Sequence, residues 1–173
     1  MAKEYYSEQQ QFNPVFFWIV IGVGALPMAI ILLLGMYQQF FLGQPWGDQP
    51  MSDVGLVLVS LLCFSIITGV ILLFRYAKLE VEVNRWGVRY RFSPLISNWK
   101  EMVKADIKKH KIITYSFRGY GIRWGLDGIK TLTVKGNKGI EFLFSENKKI
   151  IIGTQQPELF LAALDKMMKP ETE

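Results

Sequence analysis

The chain has 173 residues, half of them hydrophobic, and 20 Lys and Arg against 15 Asp and Glu give a formal net charge of +5. This length is about one domain, and the single cysteine, Cys63, excludes an intramolecular disulfide and a cysteine-based metal cluster. Charges are nearly absent from two long stretches before residue 75, while almost all basic residues follow it. We therefore expect one part of the chain to lie in lipid and the other in water.

Two uncharged stretches, residues 14–37 and 54–74, predict two transmembrane helices. They contain 24 and 21 residues, enough to cross a hydrocarbon layer of about 30 Å at about 1.5 Å per residue. Pro27 is expected to kink the first helix. Two buried core helices are the alternative, but a chain this short has no outer shell to cover both. A cleaved signal peptide is disfavoured because the first stretch exceeds an h-region of about 7–15 residues and lacks a following small-residue cleavage site.

The charges that flank the two stretches predict their orientation. The connector, residues 42–53, contains two Asp and no Lys or Arg, whereas Arg75, Lys78 and Arg85 closely follow the second stretch. Because basic residues concentrate on the cytoplasmic side, we expect both termini in the cytoplasm and the connector outside. The prediction is a multi-pass protein of the inner or plasma membrane, with residues 1–13 as a cytoplasmic N-terminal tail.

Residues 75–169 form the predicted cytoplasmic domain, followed by a short tail at 170–173. From residue 75 onward the chain holds 19 Lys and Arg and 11 Asp and Glu, a net charge of about +8. Such a domain is attracted to anionic lipid headgroups by about 1 kcal/mol for each basic residue that reaches the surface. Nucleic acid would also suit this charge, but no recognition helix or RNP-type motif accompanies it, so nucleic acid is not an expected partner.

Alternation of apolar and charged residues predicts a β-hairpin at the start of this domain. "LEVEV" (79–83) and "VRYRF" (88–92) each place apolar side chains on one face and charges on the other. The loop "NRWG" between them ends in a glycine suited to positive φ, and this loop length fixes the register. The predicted opposite pairs are Val83 with Val88, Glu82 with Arg89 and Glu80 with Arg91.

Further short runs predict additional strands, and helical spacing predicts one closing helix. The strand candidates are residues 109–117, 129–134, 140–144 and 148–153, whereas "VKADIKKHK" (103–111) is compatible with helix or strand. In residues 157–169 Pro157 suits the first helical position, and apolar residues recur along one face. The predicted fold is an α+β membrane protein with a hairpin of two transmembrane helices, followed by a partly open antiparallel β-barrel of about seven strands capped by a C-terminal helix.

Two motifs make the domain similar to a known family. "GYGIR" (119–123) and "GNKGIEFLFSENKKIIIGTQQPELFLAAL" (136–164) resemble the C-terminal half of bacterial PH-like (pleckstrin-homology-like) domains, found in small membrane proteins with two preceding transmembrane helices. The resemblance covers residues 79–168. It implies a seven-stranded, strongly bent sheet capped by a helix, usually without enzymatic activity and mostly of unassigned function. The most specific matches are Tyr120, Gly121, Ile122, Arg123, Ile152, Gly153, Thr154, Gln155 and Pro157.

The glycine-rich stretch "YSFRGYGIRWGLDG" (115–128) invites comparison with a phosphate-binding loop. Such loops present backbone N–H groups at the start of a helix that follows a strand, and neither GxGxxG nor GxxxxGK[ST] occurs here. No helical pattern follows residue 128, so the four glycines predict bends and a bulge between two strands. Arg118 and Arg123 remain candidates for contact with an anion.

The chain offers few residues for catalysis. His110 is the only histidine and lies in the basic run "KKHK" (108–111), so neither a Ser-His-Asp nor a Cys-His set is expected. No carboxylate pair has its spacing fixed by a motif, and no residues have metal-ligand spacing. We therefore expect no enzymatic activity, no cofactor and no metal.

The leading hypothesis is a membrane-anchored interaction module whose PH-like domain contacts anionic lipid headgroups at the cytoplasmic leaflet. Lys78, separated by ten residues from "RYR" (89–91), is similar to the loose basic pattern of phosphoinositide-binding PH domains. A tryptophan at the hairpin tip, beside an arginine, is suited to the membrane interface. The candidate headgroup contacts are Lys78, Arg85, Trp86, Arg89 and Arg91. For the two strand arginines the favoured alternative is cross-strand pairing with Glu80 and Glu82, which would neutralise them.

The alternative function is a scaffold or assembly subunit of a larger membrane complex. In that case an exposed edge strand of the sheet would bind a peptide, and the helices would contact a membrane-protein partner or a second copy of the chain. A transporter is disfavoured because the two stretches contain no Asp, Glu, Lys, Arg or His to serve as an ion site.

Overall fold

The structure, a computed structural model, describes residues 4–12, 15, 18–19, 21–115, 120–125, 128–145 and 148–169. The chain forms two compact units. The first is a helical hairpin, Pro14–Tyr76, and the second, which we call the lobe, joins Met1–Asn13 to Ala77–Glu173. Helices and sheets together confirm the predicted α+β class.

The helical hairpin contains the two predicted apolar helices. A π-helical turn, Ile21–Ala25, leads into α1, Leu26–Phe41, and α2 is Asp53–Tyr76. Both helices are long and apolar enough to cross a membrane, and only 11% of the residues in each apolar window are buried. The change from π- to α-helix directly precedes Pro27, because proline lacks an N–H donor and crowds the preceding turn.

The connector between the helices packs back onto α1. The ring of Trp46 covers Gly35 so closely that a Cβ there would lie 3.1 Å from the nearest ring atoms. The side-chain amide of Gln39 donates to the carbonyl oxygen of Met51 at 3.0 Å and to a carboxylate oxygen of Asp53 at 2.6 Å. These contacts hold the loop on the hairpin that it closes.

The described part of the lobe contains nine strands in two sheets. The first sheet has the order β1-β2-β3-β4 and consists of β1 Glu4–Gln11, β2 Lys78–Asn84, β3 Gly87–Ser93 and β4 Ile96–Val103. The second has the order β5-β8-β9-β7-β6 and consists of β5 Ile107–Thr114, β6 Gly121–Trp124, β7 Lys130–Thr133, β8 Lys138–Phe144 and β9 Lys149–Gly153. Neighbouring strands are antiparallel except for the parallel pair β7–β9. Within the described residues the strands form two sheets and no closed barrel, and the parallel pair β7–β9 departs from the predicted all-antiparallel arrangement.

The predicted register of the first hairpin is confirmed. Val83 lies opposite Val88, and each of the two acidic residues of β2 lies opposite an arginine of β3. The apolar members of both strands are almost fully buried. Alternation with a period of two therefore determined both the pairing and the face that enters the core.

The N-terminal segment, expected as a tail, contributes the edge strand β1. It pairs antiparallel with β2, so that Gln11 lies opposite Lys78 and Tyr6 opposite Val83. The chain thus leaves the lobe after Gln11 and returns at Lys78, at neighbouring positions of one strand pair. "EYYSEQQQ" has no strict apolar alternation, and its strand conformation depends on the edge that β2 offers.

A partly buried hydrogen-bond network fixes β1 to the end of the second sheet. The carboxylate of Glu8 accepts hydrogen bonds from the Tyr6 hydroxyl (2.6 Å), the Thr154 hydroxyl (2.6 Å) and the Gln155 backbone N–H (2.8 Å). The Tyr6 ring stacks on Phe160 with ring centroids 4.9 Å apart. Burial, assisted by the Glu8 carboxylate, raises the pKa of the Tyr6 phenol, so the phenol stays protonated and acts as a donor.

The helix predicted at 157–169 is α3, Pro157–Met168. Its buried side chains enter the core of the lobe, and it packs against strands of both sheets. The ambiguous segment 103–111 divides into a short 3-10 helix, Lys104–Asp106, and the start of β5. The residues of α3 that reach the core are Pro157, Phe160, Ala163, Leu164 and Met167.

Replacing Tyr6 with alanine should destabilise the lobe by about 3 kcal/mol, because the change removes a buried aromatic ring and leaves the Glu8 carboxylate without one donor. The measurement is urea unfolding of the full chain in detergent, followed by tryptophan fluorescence. The matched control is Ser7→Ala, an exposed position on the same strand that should shift stability by less than about 0.5 kcal/mol. Equal stability of the two variants would contradict a structural role for β1.

Because the chain leaves and re-enters the lobe at paired positions, the lobe should fold without the helices. A short Asn-Gly turn that joins Phe12 to Ala77 should yield a soluble protein with cooperative urea unfolding, since it converts β1 and β2 into a hairpin. Residues 77–169 alone expose the edge of β2 and should aggregate or unfold at a lower urea concentration in gel filtration and unfolding experiments. Equal behaviour of the two proteins would show that β1 is dispensable.

Candidate functional site

The five residues predicted to contact lipid headgroups do not form one cluster. Lys78 begins β2, whereas Arg85 and Trp86 follow its other end, roughly 20 Å away at about 3.3 Å per residue. Arg89 and Arg91 lie between these ends, on the neighbouring strand β3. The structure therefore separates them into a strand group and a hairpin tip.

The strand group is neutralised by a carboxylate. Arg91 Nε donates to a carboxylate oxygen of Glu80, and Lys78 Nζ lies 3.3 Å from the other oxygen. The hydrogen bond from Arg91 is the main reason why the pKa of Glu80 lies below its ordinary value. The cross-strand ion pair favoured for Arg91 is thus confirmed, and neither Arg91 nor Lys78 is available as an isolated charge. Arg89 lies opposite Glu82, as predicted, but the two do not form an ion pair in the described residues.

The two arginines of β3 also share an aromatic partner. The guanidinium carbons of Arg89 and Arg91 lie 5.2 and 4.7 Å from the ring centroid of Trp99, which belongs to the adjacent strand β4. Both distances are within the range of a cation–π contact. On the outer face of the first sheet these cations therefore have a carboxylate or the Trp99 indole as a partner.

The hairpin tip is held in a defined conformation. A side-chain oxygen of Asn84 accepts hydrogen bonds from the backbone N–H groups of Trp86 (2.8 Å) and Gly87 (3.1 Å). At position 87 a Cβ atom would lie 2.1 Å from the Met102 carbonyl oxygen, so only glycine allows this approach of β3 and β4. The tip presents Trp86 with 57% of its surface exposed, beside the Arg85 guanidinium at 4.4 Å from its ring centroid.

Three further cations join the tip across a shallow depression. We call the resulting surface the basic-aromatic patch, and it consists of Arg85, Trp86, Lys104, Lys166 and Lys169. The ammonium of Lys104 lies 3.4 Å from the backbone oxygen of Lys169 and donates to it, while Lys166 lies over the ring of Tyr5 at 5.2 Å. The patch thus brings together the hairpin tip, the 3-10 helix and the C-terminal end of α3.

The patch differs from the rest of the lobe in its lack of acidic residues. None of the described residues that line the depression is Asp or Glu, and none of its four cations forms an ion pair with another described residue. Elsewhere Lys111 pairs with Glu141 at 3.2 Å and Lys138 with Glu158 at 3.9 Å. The patch therefore combines four positive charges with no described carboxylate paired to them.

Of the two arginines proposed as anion contacts, Arg118 is outside the described residues. Arg123 lies in β6, and its buried Nε has no hydrogen-bond partner among the described residues. Burial raises the pKa of the nearby Tyr115 phenol to about 12, although the charge of Arg123 opposes this shift. Arg123 does not line the patch.

The described residues contain no group of three or more His, Cys, Asp or Glu side chains arranged to hold a metal ion. His110 Nε2 lies 2.9 Å from a carboxylate oxygen of Asp165, and this pair joins β5 to α3. The histidine therefore has a structural partner in the lobe.

Comparison with known proteins does not assign a family. No protein-family model matches the chain, and no match is found among curated proteins. The features from which a function can be inferred are the basic-aromatic patch and the connectivity of the lobe.

Replacing Glu80 with glutamine should destabilise the lobe by about 1 kcal/mol at neutral pH, since the partly exposed Arg91 loses a charged acceptor. The pKa of Glu80 is lowered in the folded state, so its contribution is present above the ordinary pKa of the carboxyl and disappears as the pH falls below it. Urea unfolding of the full chain in detergent across this pH range measures the effect. Glu82→Gln is the matched control, because Glu82 faces Arg89 without an ion pair, and an equal acid dependence in both variants would contradict the assignment.

Proposed function

We propose that the chain is a non-enzymatic integral membrane protein that presents a PH-like interaction module at the cytoplasmic leaflet. The helical hairpin crosses the bilayer twice, and both termini lie in the cytoplasm. The lobe contacts anionic lipid headgroups through the basic-aromatic patch. The order of elements in the lobe, strands followed by one C-terminal helix, supports its likeness to PH-like domains.

The pairing of β1 with β2 is the observation that carries this topology. β1 precedes the hairpin, β2 follows it, and together they belong to one sheet with a shared core. A folded lobe occupies one side of a bilayer, so the chain must cross an even number of times between these strands. Two exposed apolar helices of sufficient length supply two crossings. The basic flank of the second helix favours the cytoplasmic side.

Tethering makes weak contacts at the patch sufficient for membrane binding. Each basic residue that reaches an anionic surface contributes about 1 kcal/mol, and the patch carries four such residues with no carboxylate among them. Because the helices already hold the lobe near lipid, its association with the leaflet proceeds at a high effective concentration. An exposed tryptophan among the cations suits the interface between headgroups and acyl chains.

The proposal sets one geometric requirement. The patch lies at the end of β2 opposite to Lys78, where the chain re-enters the lobe. Contact of the patch with the leaflet in which the chain is anchored therefore requires β2 to lie along the bilayer surface.

The test uses the full chain in lipid nanodiscs, with Cys63→Ser and Trp86→Cys carrying an environment-sensitive fluorophore. The fluorophore emission should shift to shorter wavelength and be quenched by headgroup-labelled lipids when phosphatidylglycerol is present, but not with phosphatidylcholine alone. Added salt should reverse both changes. The triple variant Arg85→Glu, Lys104→Glu and Lys166→Glu keeps Trp86 and carries no fluorophore. It should lose binding to anionic lipid, measured as the loss of the protection from hydrogen exchange that anionic lipid gives the hairpin tip.

The matched control reverses the same number of charges outside the patch. Lys108, Lys109 and Lys135 are exposed, and their replacement with glutamate should leave the protection of the tip unchanged. Equal loss in both triple variants would mean that only the net charge of the lobe matters and would reject the patch as the binding surface. Protection that does not depend on anionic lipid would reject the lipid function altogether.

The scaffold function is supported by a different feature, the strand β4. It is an edge strand of the first sheet, eight residues long, and its side away from β3 is not paired with another described strand. A peptide that added to this edge would gain backbone hydrogen bonds. This alternative predicts a partner that co-purifies in mild detergent without anionic lipid and remains bound to the charge-reversed patch variant.

A further inference from the structure

A second basic surface lies inside the lobe, in a cleft between the two sheets. The cleft has a volume of about 630 Å³ and is lined by residues of β3, β4, β6, β7, β8 and β9. No described residue of α3 lines it, so it is separate from the part of the core that the helix covers. None of its lining residues belongs to the basic-aromatic patch.

Strand register places cations and aromatic rings on the faces that form the core. On β7, Lys130 shares its face with the fully buried Leu132, and it lies opposite Trp124 of β6. On the first sheet Lys100 lies opposite Tyr90, whose neighbours two positions away, Val88 and Phe92, are buried. The cleft is thus a continuation of the hydrophobic core in which polar and aromatic groups replace aliphatic ones.

Lys130 is the central cation of the cleft. Its ammonium lies 3.5 Å from the Tyr90 hydroxyl, 5.5 Å from the Tyr90 ring centroid and 5.3 Å from that of Trp124. In the parts of the lobe that the structure describes, no carboxylate lies within ion-pair distance of it. Burial, and then the charge of Lys100, lower the pKa of Lys130 below its ordinary value. Its described partners are therefore two aromatic faces and one hydroxyl, none of which carries a negative charge.

Among the described residues, the lining of the cleft has more lysines than carboxylates. The lysines are Lys100, Lys130, Lys148 and Lys149, and the carboxylates are those of Glu101 and Asp106. Glu101 lies opposite Arg89, which faces away from the core, so its carboxylate is at the rim. Because Lys130 is partly buried and its charge is partly desolvated, an anion that enters the cleft stabilises it.

The cleft also offers surface for an organic group. Trp124 is 71% exposed although it lies on the core-facing side of β6, and Phe144 and Ile150 add apolar surface beside it. A volume of this size matches sites for small molecules. A bare inorganic ion would leave most of that surface in contact with water.

We propose that this cleft binds the phosphate monoester group of a small organic molecule, with Lys130 and Lys100 as the cations and Trp124 as the surface for the attached organic part. A phosphate monoester carries close to two negative charges, which balances two lysines better than a single carboxylate does. The group reaches the cleft either on a soluble metabolite or on a lipid headgroup. This site is independent of lipid contact at the patch.

The test uses the full chain in a phosphate-free neutral detergent and glycerol 3-phosphate as the probe. We expect saturable binding by calorimetry, accompanied by a change in tryptophan fluorescence, and no binding of glycerol at the same concentration. Lys130→Met should weaken binding about tenfold or more, as the loss of a charge-assisted contact does. Lys100 is exposed, so Lys100→Met should also weaken binding but should not destabilise the fold. Lys108 is exposed and does not line the cleft, so Lys108→Met should have no effect.

A second arm separates the two sources of the phosphate group. Nanodiscs that contain phosphatidic acid should produce the same fluorescence change, absent in Trp124→Phe, if the group reaches the cleft on a lipid. The charge-reversed patch variant should bind glycerol 3-phosphate like the unmodified chain, so that failure of the patch proposal leaves this one intact. Absence of saturable binding in both arms, or binding unchanged by Lys130→Met and Lys100→Met, would overturn the assignment.

Discussion

The pairing of β1 with β2 is the constraint on which the rest of the structure depends. The first strand covers the edge of β2, places Tyr6 on Phe160 and brings Glu8 to the Thr154–Gln155 turn. One strand thereby connects the first sheet, the end of the second sheet and α3. It also brings the two ends of the helical hairpin to neighbouring positions of one folded unit. The membrane topology proposed for the hairpin follows from this connection rather than from the charges of the short N-terminal segment.

The charges of the lobe follow two different patterns. On the outer face of the first sheet, cations lie opposite carboxylates or over Trp99, and they stabilise the fold through contacts that water and salt weaken. At the patch Arg85 and Lys166, and in the cleft Lys130, lie over aromatic rings without a carboxylate partner among the described residues. Such cations contribute little to the stability of the fold. The binding of lipid or of a ligand, as proposed above, explains their presence better.

The sequence predicted those elements whose pattern is local. The register of β2 and β3 follows from strict alternation over five residues on each side of a short turn, and α3 from helical spacing after Pro157. β1 and β4 were missed, because "EYYSEQQQ" and "ISNWKEMV" do not alternate and owe their conformation to the neighbouring strand. β6 was missed as well, because it lies in the glycine-rich stretch that predicted only bends and a bulge. Of the patch, only Arg85 and Trp86 were predicted. The remaining lysines come from segments distant in sequence, and only tertiary structure brings Lys104 and Lys166 to the hairpin tip.

The position of β1 before the hairpin has a consequence for biosynthesis. Residues 4–11 leave the ribosome before both apolar helices, yet their partner β2 is made only after them. At about 5–20 residues per second the intervening segment takes roughly 3 to 13 s to translate. Throughout this interval the first strand has no partner, and the side chains of Glu8, which is partly buried in the folded lobe, and Gln10, which is buried, remain solvated. Completion of the lobe is therefore a late event, which begins only when the second helix has left the ribosome and the two ends of the hairpin meet.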